Sequence, residues 1–134
     1  MSGHSPMKVV AAIILRGDGK FLIARKKTGK PLAGYWEFPG GKMEPDELPE
    51  EAIRREIHEE LNLTLRDIRE YCHYRFQASH RVLEFTFFIA GCEETPMQLT
   101  DHDQIVWITP AELKTYHFAP ADVTAVSLIL EKGL

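Results

Sequence analysis

Residues 9–15 are apolar at every position and rich in β-branched side chains, a pattern that predicts a strand. Gly17-Asp18-Gly19 follows as a turn signal and residues 21–24 form a second apolar run, so the two runs are expected to pair as a hairpin. Residues 26–32 are polar and carry Gly29 and Pro31, which reads as a loop. A short strand over residues 35–38 is expected to deliver Pro39-Gly40-Gly41 to a turn. Residues 71–76 and 82–90 read as long antiparallel strands. In the second of these, Phe85, Phe87 and Ile89 alternate with Thr86 and Phe88, making one face apolar and the other partly so. Residues 105–108 are one more strand.

Between these runs the period changes. Ala52, Ile53, Ile57 and Leu61 recur at helical spacing, which predicts a helix over residues 49–61 with a polar lead-in at Asp46 or Glu47 and Pro49 in its first turn. Thr109-Pro110-Ala111-Glu112 has a capping residue, a proline at the first helical position and a glutamate at the third, the start of a short helix. Pro120 introduces a last helix whose Val123, Val126, Leu128 and Leu130 are expected to dock on the sheet. The elements add up to an α/β (α+β) fold, a sandwich with a mixed sheet between helices. Residues 1–6 read as a flexible N-terminal extension and residues 7–134 as a single domain.

The predicted central helix also carries chemistry. Glu56, Glu59 and Glu60 stand at i, i+3 and i+4, which places three carboxylates on one side of it. They lie about 110° around the helix from the apolar stripe, an orientation that edges the core without entering it. Like charges stacked this way repel unless a cation sits among them, and three oxygen donors beside a glycine turn suit a hard divalent ion such as Mg²⁺. Glu50 with Arg54 and Glu51 with Arg55 are ordinary i,i+4 pairs, worth roughly 0.3–0.5 kcal/mol each.

Composition narrows the field of partners. The 134 residues, 27% of them charged and 44% hydrophobic, suit an ordinary globular domain. A net charge of −4 argues against a broad nucleic-acid-binding surface, though a small polyanion can still reach an acidic pocket whose field a bound cation reverses. Cys72 and Cys92 lack both metal-binding and disulfide-framework spacing, so they read as reduced thiols of a cytoplasmic protein. The longest apolar run is too short to span a bilayer, and no membrane association is expected.

Gly41, Glu47, Arg55, Glu56, Ile57, Glu59, Glu60 and Leu63 fall in the register Gly, five residues, Glu, seven residues, then Arg-Glu-apolar-any-Glu-Glu-any-Gly-apolar, and by these positions the chain resembles the Nudix hydrolases. Asn62 is the one departure, standing where the family usually has Gly. The position follows the helix end and needs a left-handed backbone, which Asn tolerates. The resemblance implies a sandwich fold over nearly the whole chain. It implies a Mg²⁺ cofactor, with Mn²⁺ as a substitute, held by Glu56, Glu59, Glu60 and the backbone carbonyl of Gly40. It implies that Arg55 pairs with Glu47 and steadies the carboxylates. Glu56 then sits where some members place the general base, and Asp101, in the loop before Trp107, matches a MutT-type Glu that serves as ligand or base. Arg25 and Lys42 are the candidate phosphate contacts.

Trp36-Glu37-Phe38-Pro39-Gly40-Gly41-Lys42 and Phe118-Ala119-Pro120-Ala121-Asp122 together look like the MutT-type subgroup, which converts nucleoside triphosphates to monophosphate and pyrophosphate. Asp122 is the candidate base reader. Its ionised form suits the guanine or 8-oxoguanine donors N1–H and N2–H₂, while the surrounding run looks like that of (d)CTP pyrophosphohydrolases. The expected activity is therefore Mg²⁺-dependent hydrolysis of a nucleoside triphosphate such as 8-oxo-dGTP, with (d)CTP or 5-methyl-dCTP as the alternative. A non-catalytic nucleotide-binding module is the reading of another class, and the intact glutamate set argues against it. Phe76, Phe85 and Tyr74 read as core rather than stacking partners, and the protein is expected to act as a monomer or homodimer.

Overall fold

The computed structural model describes residues 5–93 and 96–134. Of the extension expected over residues 1–6, only Ser5 and Pro6 are among them, and the Ser5 carbonyl accepts a hydrogen bond from Arg81 Nε at 3.3 Å. A four-stranded mixed sheet has the order β4 (Gly40–Lys42), β1 (Met7–Ile14), β6 (Val82–Cys92), β5 (Leu65–Gln77). A three-stranded antiparallel sheet has the order β3 (Trp36–Glu37), β2 (Phe21–Lys26), β7 (His102–Ile108). Helix α1 (Pro49–Leu61) and helix α2 (Val123–Lys132) cover opposite sides. The α/β/α sandwich anticipated from the pattern is the fold observed.

β1 explains why its sequence is apolar without a break. Val10, Ala12 and Ile14 pack with Ala52, Ile53, Ile57 and Leu61 of α1, whereas Ala11 and Ile13 pack with Ala125 and Ile129 of α2. A strand covered on both faces has no position left for a polar residue. The same division runs through β6, where Phe85, Phe87 and Ile89 face α2 while Phe88 and Ala90 face α1.

The hairpin expected between β1 and β2 does not form. The chain turns at Gly19 and makes a single antiparallel bridge, Leu15 to Phe21, before the strands part into different sheets. β1 instead runs parallel to β6 along its whole length, and β2 pairs with β7. Local turn chemistry announces a reversal but not how far the ladder continues, which depends on the partners that arrive later in the chain.

α2 is rotated from the expected face, although Val126 packs against the core as anticipated. Ala125 and Ile129 are buried, while Val123 and Leu130 are 49% and 41% exposed. Asp122 points inward, and residues at i+3 and i+7 from it necessarily share that direction. The segment is held at both ends by β5, where Tyr74 OH donates to the Ala121 carbonyl at 2.6 Å and Tyr71 OH to the Gly133 carbonyl at 2.8 Å. The helix expected after Thr109 is a short 3₁₀ turn, Pro110–Thr115, with Glu112 Oε1 accepting from the Thr109 N–H at 2.9 Å. No helix among the described residues is long and apolar enough to cross a membrane.

α1 ends at Asn62, whose φ of 56° and ψ of 36° are left-handed, with its N–H returning to the His58 carbonyl at 3.0 Å. Its side-chain amide donates to the Pro96 carbonyl at 3.1 Å. A left-handed backbone costs most residues about 1–2 kcal/mol relative to Gly. Asn62→Ala is therefore expected to lower unfolding free energy in urea by about 1–2 kcal/mol, and Asn62→Gly by less than half of that. Equal losses in the two variants would show that the amide contact, not the backbone, carries the position.

Candidate active site

β4 lies against β1 with Gly40 opposite Ala11 and Gly41 opposite Val10. A side chain at either position would force something to move, backbone at Gly40 and the Glu56 carboxylate at Gly41. A Cβ on Gly40 would meet the Val10 backbone oxygen, and one on Gly41 would fall on the Glu56 carboxylate. The glycines thus allow β4 to close on β1 and allow Glu56 to rest on β4.

Arg55 is the centre of the polar face of α1. Its Nε and Nη2 donate to Glu47 at 2.8 and 3.0 Å, a two-pronged pair. Nη1 reaches Glu56 Oε1 at 3.0 Å and Glu59 Oε2 at 3.3 Å, and Nη2 also donates to the Lys42 carbonyl at 3.1 Å. The guanidinium holds the Glu47 carboxyl below its usual range, and Glu47 in turn raises the arginine. Lysine has no planar fork with which to make these contacts together.

The three glutamates of the helix are unequal. Glu59 is at the rim, its side chain 58% exposed. Glu56 is mostly buried, and burial raises its pKa against the opposing pull of Arg55. Glu60 is buried outright, its Oε2 has no hydrogen-bond partner, and burial followed by the charges of Glu37, Glu56 and Asp101 pushes its pKa up to about 9. The expectation that all three edge the core without entering it is corrected for Glu60. Groups from β2, β3 and the loop before β7 face it, which a helical wheel cannot represent.

Among the described residues no three acidic, His or Cys side chains are already gathered at metal-binding spacing, and the positive charge lodged between Glu56 and Glu59 is Arg55. The donor set nonetheless fits a hard divalent ion. An unpartnered buried carboxylate oxygen is destabilising by about 1–3 kcal/mol, and an oxygen-seeking cation beside Glu60 and Glu56 would satisfy it.

Next to this face a cavity of about 390 Å³ opens, lined by Lys26, Glu37, Phe38, Gly40, Gly41, Lys42, Phe85 and Asp122 among others. Asp122 does not cap its own helix. Its Oδ2 accepts from the Phe38 N–H at 2.8 Å, and burial pushes its pKa up to about 8. The backbone makes this contact inevitable, because the Ala119 N–H donates to the Trp36 carbonyl at 2.8 Å and brings the following 3₁₀ turn, Pro120–Asp122, beside β3. Phe85 is a core residue as expected, with Tyr74 and Phe76 packed against the same cluster; it stacks on Tyr74 at 5.7 Å and also lines the cavity.

Arg25 is not brought to this cavity. Its Nε pairs with Asp103 at 2.8 Å and its guanidinium lies 5.8 Å from the centre of the Trp36 ring. The next residue, Lys26, lines the cavity instead, since successive strand residues face opposite ways and the ladder shifts between the two. Lys42 is at the cavity wall. Asp101 lies near enough to Glu60 to raise it, while its own Oδ1 pairs with Lys30 Nζ at 3.3 Å.

A model of the NUDIX domain matches residues 5–127. The chain belongs to the Nudix family. It is 38% identical to the CTP pyrophosphohydrolase of Escherichia coli K12 over 87% of this chain and 86% of that one. It is 25% identical to the 8-oxo-dGTP diphosphatase of Haemophilus influenzae over 94% and 93%. Among solved structures it is similar to a MutT protein described for Aliivibrio salmonicida and Vibrio cholerae, with a TM-score of 0.81 and 29% identity over 96% of this chain and 99% of that one. The E. coli ORF135 protein gives a TM-score of 0.79 and 32% identity over 98% and 93%. Nudix hydrolases generally need a divalent metal.

Sequence reasoning missed three groups of this Nudix hydrolase that sit at the cavity or behind it: Lys26, Glu37 and His102. β3 is only two residues long, too short for a period to show that Glu37 faces a pocket, and His102 read as part of a polar loop. The only available signal was that Glu37 directly precedes Phe38-Pro39-Gly40-Gly41.

The raised pKa of Glu60 has a stability consequence. From about 4.5, its ordinary value, up to about 9, the folded state holds a proton that the unfolded chain has released. The stability tied to this proton is therefore complete below the lower value and is lost progressively as pH rises toward the upper one. In metal-free buffer Glu60→Gln is expected to gain on the wild type steadily between about pH 5 and pH 9, read from urea midpoints. A difference independent of pH would mean that Glu60 is not the buried acid described.

Proposed function

We propose that this hydrolase converts a nucleoside triphosphate to the monophosphate and pyrophosphate, using Mg²⁺, for which Mn²⁺ can substitute. The observation that carries the reading is the double role of β4. Gly41 supports the Glu56 carboxylate on α1, and Gly40 and Gly41 also wall the cavity that holds Asp122. One nucleotide can thus place its base in the cavity and its phosphates over the acidic face.

Glu56, Glu60, Glu59 and the Gly40 carbonyl would hold the metal, which when bound neutralises the triphosphate and acidifies a water. Arg55 keeps Glu56 and Glu47 in place. Glu56 takes the proton of the attacking water, a role its raised pKa suits, and Lys42 and Lys26 supply positive charge to the substrate. Asp101 joins the acidic group from the β7 side. Cytoplasmic action as a monomer or homodimer completes the reading.

The protonation of Asp122 supports cytosine as the base. Because Oδ2 accepts from the Phe38 N–H, the hydrogen of the neutral carboxyl belongs on Oδ1. That oxygen then donates to an acceptor such as cytosine N3, which the ionised form first considered for this residue cannot do. The sequence likeness to the E. coli CTP pyrophosphohydrolase points the same way. A second reading, 8-oxo-dGTP, is supported by the likeness to the H. influenzae enzyme and by the ionised form of Asp122 above its pKa.

Glu56→Gln is expected to lower turnover at least about a hundredfold with an unchanged circular dichroism spectrum; a rate within a few fold of wild type would remove Glu56 from the chemistry. The ratio of kcat/KM for dCTP to that for 8-oxo-dGTP is expected to fall as pH rises through about 8, where Asp122 loses its hydrogen. Asp122→Asn should flatten that profile, and an identical profile in the variant would rule out Asp122 as its origin.

A further inference from the structure

We propose that His102 is a positioning residue that sets nucleobase selectivity through Glu37, whose second carboxylate oxygen accepts a hydrogen bond from a donor on the nucleoside half of the substrate; this rests on the reading of the cavity as the nucleotide site. The three-stranded sheet assembles the group. Lys26 of β2 is the cross-strand partner of His102 on β7, and Glu37 of β3 pairs with Ala24 on the other edge of β2. Glu37 Oε2 is thereby contacted by His102 Nε2 at 2.8 Å and lies 3.7 Å from Lys26 Nζ.

His102 has no other visible employment. Its side chain is completely buried, and its second ring nitrogen, Nδ1, makes no hydrogen bond. Burying a polar ring with one nitrogen unpartnered weakens a fold, a cost set here against a single remaining contact. That contact is with Glu37, whose carboxylate accepts, so Nε2 carries the hydrogen. A pinned Oε2 leaves Oε1 without a hydrogen bond among the described residues, on a side chain that lines the cavity.

Glu37 and Asp122 act on the same part of the ligand because both are tied to Phe38. Glu37 precedes it in the chain, and Asp122 binds its N–H. Glu37 supplies an acceptor and Asp122 a hydroxyl donor, a pair complementary to a ring nitrogen beside an exocyclic amino group. On a cytosine nucleotide the amino group of the base and a hydroxyl of the sugar are the donors offered to Oε1, and the base is the one favoured by this pairing.

The test is steady-state hydrolysis of dCTP, dTTP and dideoxy-CTP by the full-length protein and by Glu37→Gln, His102→Ala, His102→Gln and the Glu37→Gln/His102→Ala double variant. Glu37→Gln, whose oxygen keeps the His102 N–H while its NH₂ meets the donor of the ligand, is expected to lose about tenfold in preference for dCTP over dTTP. His102→Ala should raise the KM for dCTP about tenfold with kcat within about threefold. His102→Gln, which can return an N–H to Glu37, should recover most of that loss, and the double variant should be no worse than the poorer single one.

An unchanged dCTP to dTTP preference in Glu37→Gln, or additive losses in the double variant, would overturn the proposal while leaving triphosphate hydrolysis intact. A preference lost against dideoxy-CTP rather than dTTP would assign the donor to the sugar and overturn the base-selectivity claim. Equal loss on every nucleotide, unrelieved in His102→Gln, would make His102 merely structural. A wild-type protein inactive on all three substrates would instead bring down the hydrolase reading itself, and this inference with it.

Discussion

The approach of β4 to α1 is the constraint on which the site depends. Two glycines without side chains let the strand close on β1 and let the Glu56 carboxylate rest against Gly41. With that separation set, Arg55 can reach Glu47, Glu56, Glu59 and the Lys42 carbonyl with one guanidinium. A planar cation with five fixed donors makes such a hub when its acceptors converge on it, here three carboxylates and the Lys42 backbone carbonyl. Any residue larger than Gly at position 41 would displace the acid before it affected the fold as a whole.

Around this hub the protein buries two carboxyl groups, Glu60 and Asp122, and one imidazole, His102. Glu60 and Asp122 are both protonated near neutrality in the folded chain, and Glu37 adds to the pKa of each. Burial is the leading cause in both cases. The outcome differs because their neighbours differ: Glu60 has a bare oxygen beside other carboxylates, whereas Asp122 has one oxygen engaged by a backbone N–H. The first arrangement suits a cation, and the second places a neutral donor at the wall of the cavity proposed to take the base. The two environments push the carboxyl groups into separate roles, the condition under which like residues can divide a chemical task.

The three-stranded sheet is the quieter half of the machine. It contributes no glutamate to the helix motif, yet it carries Lys26 and Glu37 to the cavity with His102 behind Glu37 and, through the Trp36 carbonyl, draws in the segment that ends in Asp122. Tyr74 and Tyr71 of the other sheet then hold that segment at both ends. The proposed base site is thus built from the junction of two sheets, while the acidic face comes from one helix and one strand.

The helix motif was legible because its information is local. Spacing along α1 alone places Glu56, Glu59 and Glu60 together, predicts the helix bounds, and calls for a left-handed residue at Asn62, which is what the backbone shows. The 3.6-residue period needs no knowledge of the rest of the chain. What the tertiary structure decided is everything that depends on residues far apart in sequence. β1 and β2 separate after one bridge, Arg25 turns to Asp103 while Lys26 enters the cavity, α2 buries Ala125 and Ile129 rather than Val123 and Leu130, and Glu60 is buried and feels charges from three other segments. Burial and electric field are sums over neighbours in space, and the order of residues along a chain specifies those neighbours only through the completed fold.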